Sequence, residues 1–114
     1  MKKLIFALLA VVGISQATVL EKGYAQGYST VYGSSSDTYT EYFVGGFAAG
    51  AYLSGNGNTD LDLYIYDANG NLICRSEAMF DDEYCIWTPS WTGMFKVVVK
   101  NRGSISNRYF LKLQ

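Results

Sequence analysis

The segment that constrains this chain most is Leu61 to Tyr66. Leu61, Leu63 and Ile65 alternate with Asp62, Tyr64 and Tyr66. Successive side chains of a strand point to opposite faces, so this spacing predicts one apolar face and one polar-aromatic face. Asp67-Ala68-Asn69-Gly70 follows as a turn signal, and Asn-Gly suits the positive φ angles of a tight hairpin. Asn71 to Arg75 then reads as the returning strand.

The same rhythm continues downstream. Tyr84 to Thr88 reads as a short strand ended by Pro89, and Pro89 to Gly93 as a turn. Phe95, Val97 and Val99 alternate with Lys96, Val98 and Lys100. Asn101-Arg102-Gly103 makes a further turn, and Tyr109, Leu111 and Leu113 alternate with Phe110 and Lys112. Upstream, Tyr42 to Leu53 holds strand formers interrupted by Gly45, Gly46 and Gly50. Roughly six short strands at regular spacing predict an all-β, antiparallel sandwich, each strand burying one face against an opposing sheet. An outer-membrane barrel is the alternative. Its strands run to about ten residues, longer than those seen here.

Residues 1–17 read as a cleavable signal peptide. Lys2 and Lys3 precede the apolar stretch Leu4–Ile14, and Ser15-Gln16-Ala17 supplies the small residues of a cleavage site. The run is shorter than the roughly 20 residues a membrane-spanning helix needs. An exported chain, periplasmic or extracellular, follows. Residues 18–41 read as an N-terminal lead-in or edge strand, rich in Gly, Ser, Thr and Tyr, and 42–114 as the sandwich domain.

Export changes the meaning of the two cysteines. Cys74 and Cys85 in an oxidising compartment read as a disulfide, and a small domain gains from such a staple. Without Lys2 and Lys3 the chain carries 7 basic and 10 acidic residues, a balance that argues against nucleic-acid binding. There is no histidine, so the commonest general base and metal ligand is missing. No catalytic residue is assigned, and a small carboxylate-based hydrolase is the weakest of the functional readings.

The stretch Gly55-Asn56-Gly57-Asn58-Thr59-Asp60-Leu61-Asp62-Leu63-Tyr64-Ile65-Tyr66-Asp67-Ala68-Asn69-Gly70 resembles the bacterial pre-peptidase C-terminal domain family, with its DLDLYVYD-type strand and NG turn. Trp87-Thr88-Pro89 through Val97, and Arg108-Tyr109-Phe110-Leu111, resemble later segments of that family in the same order. The resemblance spans about residues 42–114. It implies a jelly-roll-like sandwich in a secreted bacterial protein, here a stand-alone version without an attached peptidase. Related collagen-binding modules bind calcium and extracellular matrix.

Two groups of residues are candidates for function. Asn56, Asn58, Asp60, Asp62 and Asp67 form a dense set of oxygen ligands suited to calcium, though Leu61 stands where a calcium loop needs glycine. The acidic run Asp81-Asp82-Glu83 reads either as solvated loop or as an extension of that set. Tyr64, Tyr66 and Trp91 are candidate binding-surface aromatics. Together they suggest a non-catalytic binding module for a protein or polysaccharide at the cell surface. A partner or inhibitory module of a secreted peptidase is the alternative.

Overall fold

The computed structural model describes residues 25–114, together with the backbone of Leu4–Phe6 and Thr18–Leu20, which pair antiparallel. Most of residues 1–17, read above as a signal peptide, lies outside the described residues. Eight strands build the body: β1 (Ala25–Val31), β2 (Ser36–Phe43), β3 (Ala49–Ser54), β4 (Leu61–Tyr66), β5 (Leu72–Ser76), β6 (Asp82–Trp87), β7 (Gly93–Asn101) and β8 (Asn107–Leu113).

They form two four-stranded antiparallel sheets, ordered β1-β8-β3-β6 and β2-β7-β4-β5. Successive strands change sheet at every step except β4 to β5, which is the interleaved order of a jelly roll. The fold is therefore the expected antiparallel sandwich, with two stacked sheets in place of one closed barrel. Among the described residues no helix is long and apolar enough to cross a membrane.

The core lies where the alternation placed it. Leu61, Leu63 and Ile65 of β4 and Phe95, Val97 and Val99 of β7 are buried against Ala51, Leu53, Leu111 and Leu113 of the facing sheet. Phe43 packs edge-on against Trp87 and Phe95, with centroids 5.0 and 5.9 Å away. Such aromatic pairs add about 0.5–1.5 kcal/mol beyond the area they bury.

Three local details differ from the sequence reading. Residues 25–41, read as a lead-in or an edge strand, supply two edge strands, β1 and most of β2, paired along their length with β8 and β7. The core-facing positions of β2 are Asp37, Tyr39, Glu41 and Phe43, and the two carboxylates break the apolar alternation that marks the other strands. The Tyr42–Leu53 stretch divides, with β2 ending at Phe43 and β3 beginning at Ala49. In the β4–β5 hairpin only Gly70 has positive φ, at 87°. Gly70 N–H donates to Asp67 O at 3.0 Å, and the register shifts between Ile65 and Tyr66. This is a type I turn followed by a left-handed glycine, the three-residue solution to the same hairpin.

The Cys74–Cys85 disulfide is present, with Cα atoms 6.0 Å apart. It joins the edge strands β5 and β6, which belong to different sheets, and so closes one side of the sandwich. On the opposite side, Tyr109 Oη donates to Asp37 Oδ2 at 2.6 Å and lies 2.5 Å from Tyr39 Oη. Burial raises the pKa of Asp37 and pushes that of Tyr39 up to about 12.

Candidate functional site

The ends of β3, β5 and β7 and the starts of β4, β6 and β8 meet at one end of the sandwich. Asp60 enters this end just before β4, and Asp62 is the second residue of β4. Glu83 comes from β6 in the other sheet, sharing the inward parity of Cys85 and Trp87. One carboxylate oxygen from each of Asp60, Asp62 and Glu83 lies within 4.8 Å of the other two.

Their environment separates these groups from ordinary surface acids. Asp62 and Glu83 are buried, and Asp60 is half-buried. Asp60 Oδ1, Asp62 Oδ1 and Glu83 Oε2 are each buried with no hydrogen-bond partner among the described residues. Their other contacts hold the carboxylates in place. Arg102 Nε donates to Asp62 Oδ2 at 2.5 Å, and Arg102 Nη2 to Tyr64 Oη at 3.1 Å. Tyr64 Oη donates to Glu77 Oε2 at 2.6 Å. Glu83 Oε1 accepts from Ser76 Oγ, and from Ala78 N–H at 3.1 Å.

The electrostatics follow from this crowding. Desolvation raises the pKa of Asp60, and the charges of Asp62 and Asp81 add to it against the opposing pull of Arg102. Desolvation also raises that of Glu83, with Asp62 and Asp60 contributing, while Ser76 and Ala78 hold it down. The hydrogen bond to Asp62 raises the pKa of Arg102, fixing its charge. One guanidinium faces several carboxylates, so a further positive charge or protons would relieve the site.

The set suits a hard cation. Calcium takes oxygen ligands at about 2.3–2.6 Å. Oxygens no more than 4.8 Å apart can share one such centre. Asp60, Asp62 and Glu83 would hold the ion and fill part of its shell, leaving positions for water or a ligand's oxygens.

The structure sorts the candidate residues. Asp60 and Asp62 belong to the cluster. Asp67 does not: its Oδ1 accepts from Asn69 and Asn71 N–H, both at 2.9 Å, and these backbone bonds lower its pKa. Asn56 Oδ1 accepts from Asn58 N–H at 3.0 Å, so both shape the loop before Asp60. Tyr64 is tied to Arg102 and Glu77, and Tyr66 stacks on it with centroids 6.4 Å apart. Trp91 stacks on Phe95 at 5.9 Å, which anchors the β6–β7 turn.

The acidic run splits by strand parity. Asp82 is exposed and Glu83 is buried. Asp81 Oδ2 accepts from Gly57 N–H at 2.5 Å and from Asn107 Nδ2 at 3.1 Å. A Cβ on Gly55 would lie 2.3 Å from that carboxylate, so the loop requires glycine there. Sequence reasoning named Glu83 only within the run read either as solvated loop or as an extension of the set, and missed Arg102, which binds Asp62. The signal for Glu83 was its spacing of two and four from Cys85 and Trp87. A cleft of about 660 Å³ adjoins the cluster, lined by Tyr52, Ser54, Ser76, Glu83 and Tyr84 among others.

No family model and no curated protein matches the chain. Solved structures that share its fold include three from different bacteria. The pre-peptidase C-terminal domain of a Bacillus anthracis collagenase is 12% identical, with a TM-score of 0.64, covering 79% of this chain and 88% of that one. The Aeromonas hydrophila PliG, a periplasmic inhibitor of g-type lysozyme, is 14% identical, with a TM-score of 0.58 and coverage of 80% and 86%. The Yersinia pseudotuberculosis-derived mitogen is 18% identical, with a TM-score of 0.59 and coverage of 81% and 85%. At these identities the likeness is one of fold.

Proposed function

We propose that this chain is an exported, non-catalytic binding module for a protein or polysaccharide at the cell surface, with calcium held by Asp60, Asp62 and Glu83. The observation that carries the reading is the set of three buried carboxylate oxygens without hydrogen-bond partners among the described residues, on side chains gathered from both sheets. An unpaired buried polar atom costs about 1–3 kcal/mol, more when charged, and a cation offsets that cost. The ion would tie the two sheets together beside the cleft. The disulfide and the periplasmic setting of the lysozyme inhibitor support export. Calorimetric titration of chelator-treated mature protein with calcium at neutral pH tests the ion. One site, lost in Asp60→Asn, is expected. No heat attributable to a site, or heat unchanged in Asp60→Asn, would refute it.

A second reading, an inhibitory or partner module of a secreted enzyme, is favoured by the β5–β6 loop. Met79 and Phe80 are 79% and 73% exposed there. The loop's base is closed by the disulfide and by the hydrogen bonds of Glu83 and Asp81. A loop held at its base needs less ordering on docking, which suits its exposed apolar side chains to a partner's cleft. Inhibition of a secreted peptidase or lysozyme from the same culture, abolished by the pair Met79→Glu and Phe80→Glu, would establish this reading. Inhibition that survives the pair would remove the loop from it.

A further inference from the structure

The outer face of the β1-β8-β3-β6 sheet carries one aromatic ring on each strand: Tyr28 on β1, Phe110 on β8, Tyr52 on β3 and Tyr84 on β6. Strand register sets this arrangement. Tyr28 lies opposite Phe110, and Tyr52 opposite Tyr84, with ring centroids 4.9 and 6.5 Å apart and ring planes inclined at 57° and 88°. Phe110 faces Ser54, two residues along β3 from Tyr52, so the pairs continue diagonally. Tyr28 and Tyr84, at the two ends, are 67% and 58% exposed.

The row is built into the sheet. The Tyr52 ring lies against Gly50, where a Cβ would come within 2.9 Å of it. The Arg108 guanidinium sits 5.0 Å from the centroid of Tyr28. Two clefts, of about 660 and 420 Å³, border the row, with Ser54 in the lining of both.

The chemistry of this face selects among ligands. Arg108 and Lys112 lie on β8 and Asp82 is exposed at the β6 end, so both signs of charge flank the row. A polyanion would meet Asp82, and a polycation the two basic groups. A protein hot spot would gather its rings at the centre of a desolvated pocket. Here the rings are spread one per strand, with Ser54 and Lys112 between them as hydrogen-bonding groups. Neighbouring strands stand about 4.8 Å apart, close to the advance of one pyranose along an extended chain.

We infer that this face binds an uncharged polysaccharide lying across the strands, with sugar rings stacked on the exposed Tyr28 and Tyr84 at its ends and the chain passing over Phe110 and Tyr52 between them. The inference rests on the reading of the chain as a binding module. It names the face and the ligand class, and it needs neither Asp60 nor Asp62.

Calorimetric titration of the mature protein in chelator tests it. The probes are neutral oligosaccharides of increasing length from cellulose, chitin, xylan and starch, with alginate and polygalacturonate oligomers as acidic counterparts. A neutral series should bind, its affinity rising up to four units and then levelling. Tyr28→Ala and Tyr84→Ala should each weaken binding about five- to tenfold, the loss of one stacking contact. Tyr42→Ala, on the other sheet, should change nothing. Circular dichroism confirms that the variants fold. The inference is overturned if no neutral series binds, if both end variants bind like wild type, or if only acidic oligomers bind. Glycan binding in chelator without any calcium site would remove the cation alone.

Discussion

Asp60 and Asp67 stand seven residues apart and illustrate how neighbours decide what a carboxylate does. Backbone N–H groups of the hairpin turn surround Asp67 and lower its pKa, as expected of a turn residue. Asp60 faces other acids, has a buried oxygen without a partner, and is raised. Glu41 is more isolated still. It points into the core from β2, and neither of its side-chain oxygens has a partner among the described residues. Burial pushes its pKa from 4.5 up to about 8. The folded value exceeds the unfolded one, so the associated stability is fully present below pH 4.5 and is lost as pH rises through about 8. Glu41→Leu should therefore raise stability by about 1–3 kcal/mol near pH 8, the cost of an unsatisfied buried polar group. The advantage should shrink toward pH 4.5. Denaturant unfolding of both proteins across that range measures it, and a difference independent of pH would contradict the assignment.

At the scale of elements, β5 and β6 depend on their disulfide more than the central strands do. Each is an edge strand, and Leu72, Ile73, Tyr84 and Ile86 leave much apolar surface in solvent. Closing a loop with a sequence separation of 11 contributes roughly 3 kcal/mol in the chain-entropy account. Cys74→Ser with Cys85→Ser should lower unfolding free energy by about 2–4 kcal/mol, measured in urea. It should also speed hydrogen exchange at Ala78 and Tyr84 more than in β4 or β7. Uniform exchange changes would show that the disulfide does not act locally. The legibility of these elements followed their patterning. Strands β4, β7 and β8 were readable because each alternates cleanly and buries an apolar face. β2 was not, because Asp37 and Glu41 occupy core-facing positions that only a cross-sheet Tyr109 contact and a buried orphan carboxyl account for. β1 was hidden because an edge strand with Gly27 and Ser29 presents little apolar signal.

At the scale of the molecule, the sandwich is closed differently on its two sides and at one end. A covalent bond joins β5 to β6, and the Tyr39–Tyr109–Asp37 chain joins the opposite side. The Asp60–Asp62–Glu83 cluster bridges the sheets at the end where the cleft opens. Two of the three members were legible, since Asp60 and Asp62 sit in one acidic segment. Glu83 joins them only through the packing of β6 beside β4, a long-range fact that local spacing does not carry. Asn56, Asn58 and Asp67 have the right ligand chemistry, but backbone N–H groups engage Asn56 and Asp67, and Asn58 is exposed in the loop that Asn56 shapes.

The central claim is that this cluster is completed by calcium. Thermal melting of the mature protein at pH 7, in excess calcium and in chelator, tests it most directly. Calcium at a hundredfold excess over Kd contributes about 2.7 kcal/mol, and each kcal/mol moves Tm by roughly 4–8 °C in a domain of this size. The account predicts a rise of that order in wild type, none in Asp60→Asn, and a rise that fades as acid protonates Asp60 and Glu83. Equal melting temperatures in calcium and chelator, or the same calcium-induced rise in Asp60→Asn, would contradict it.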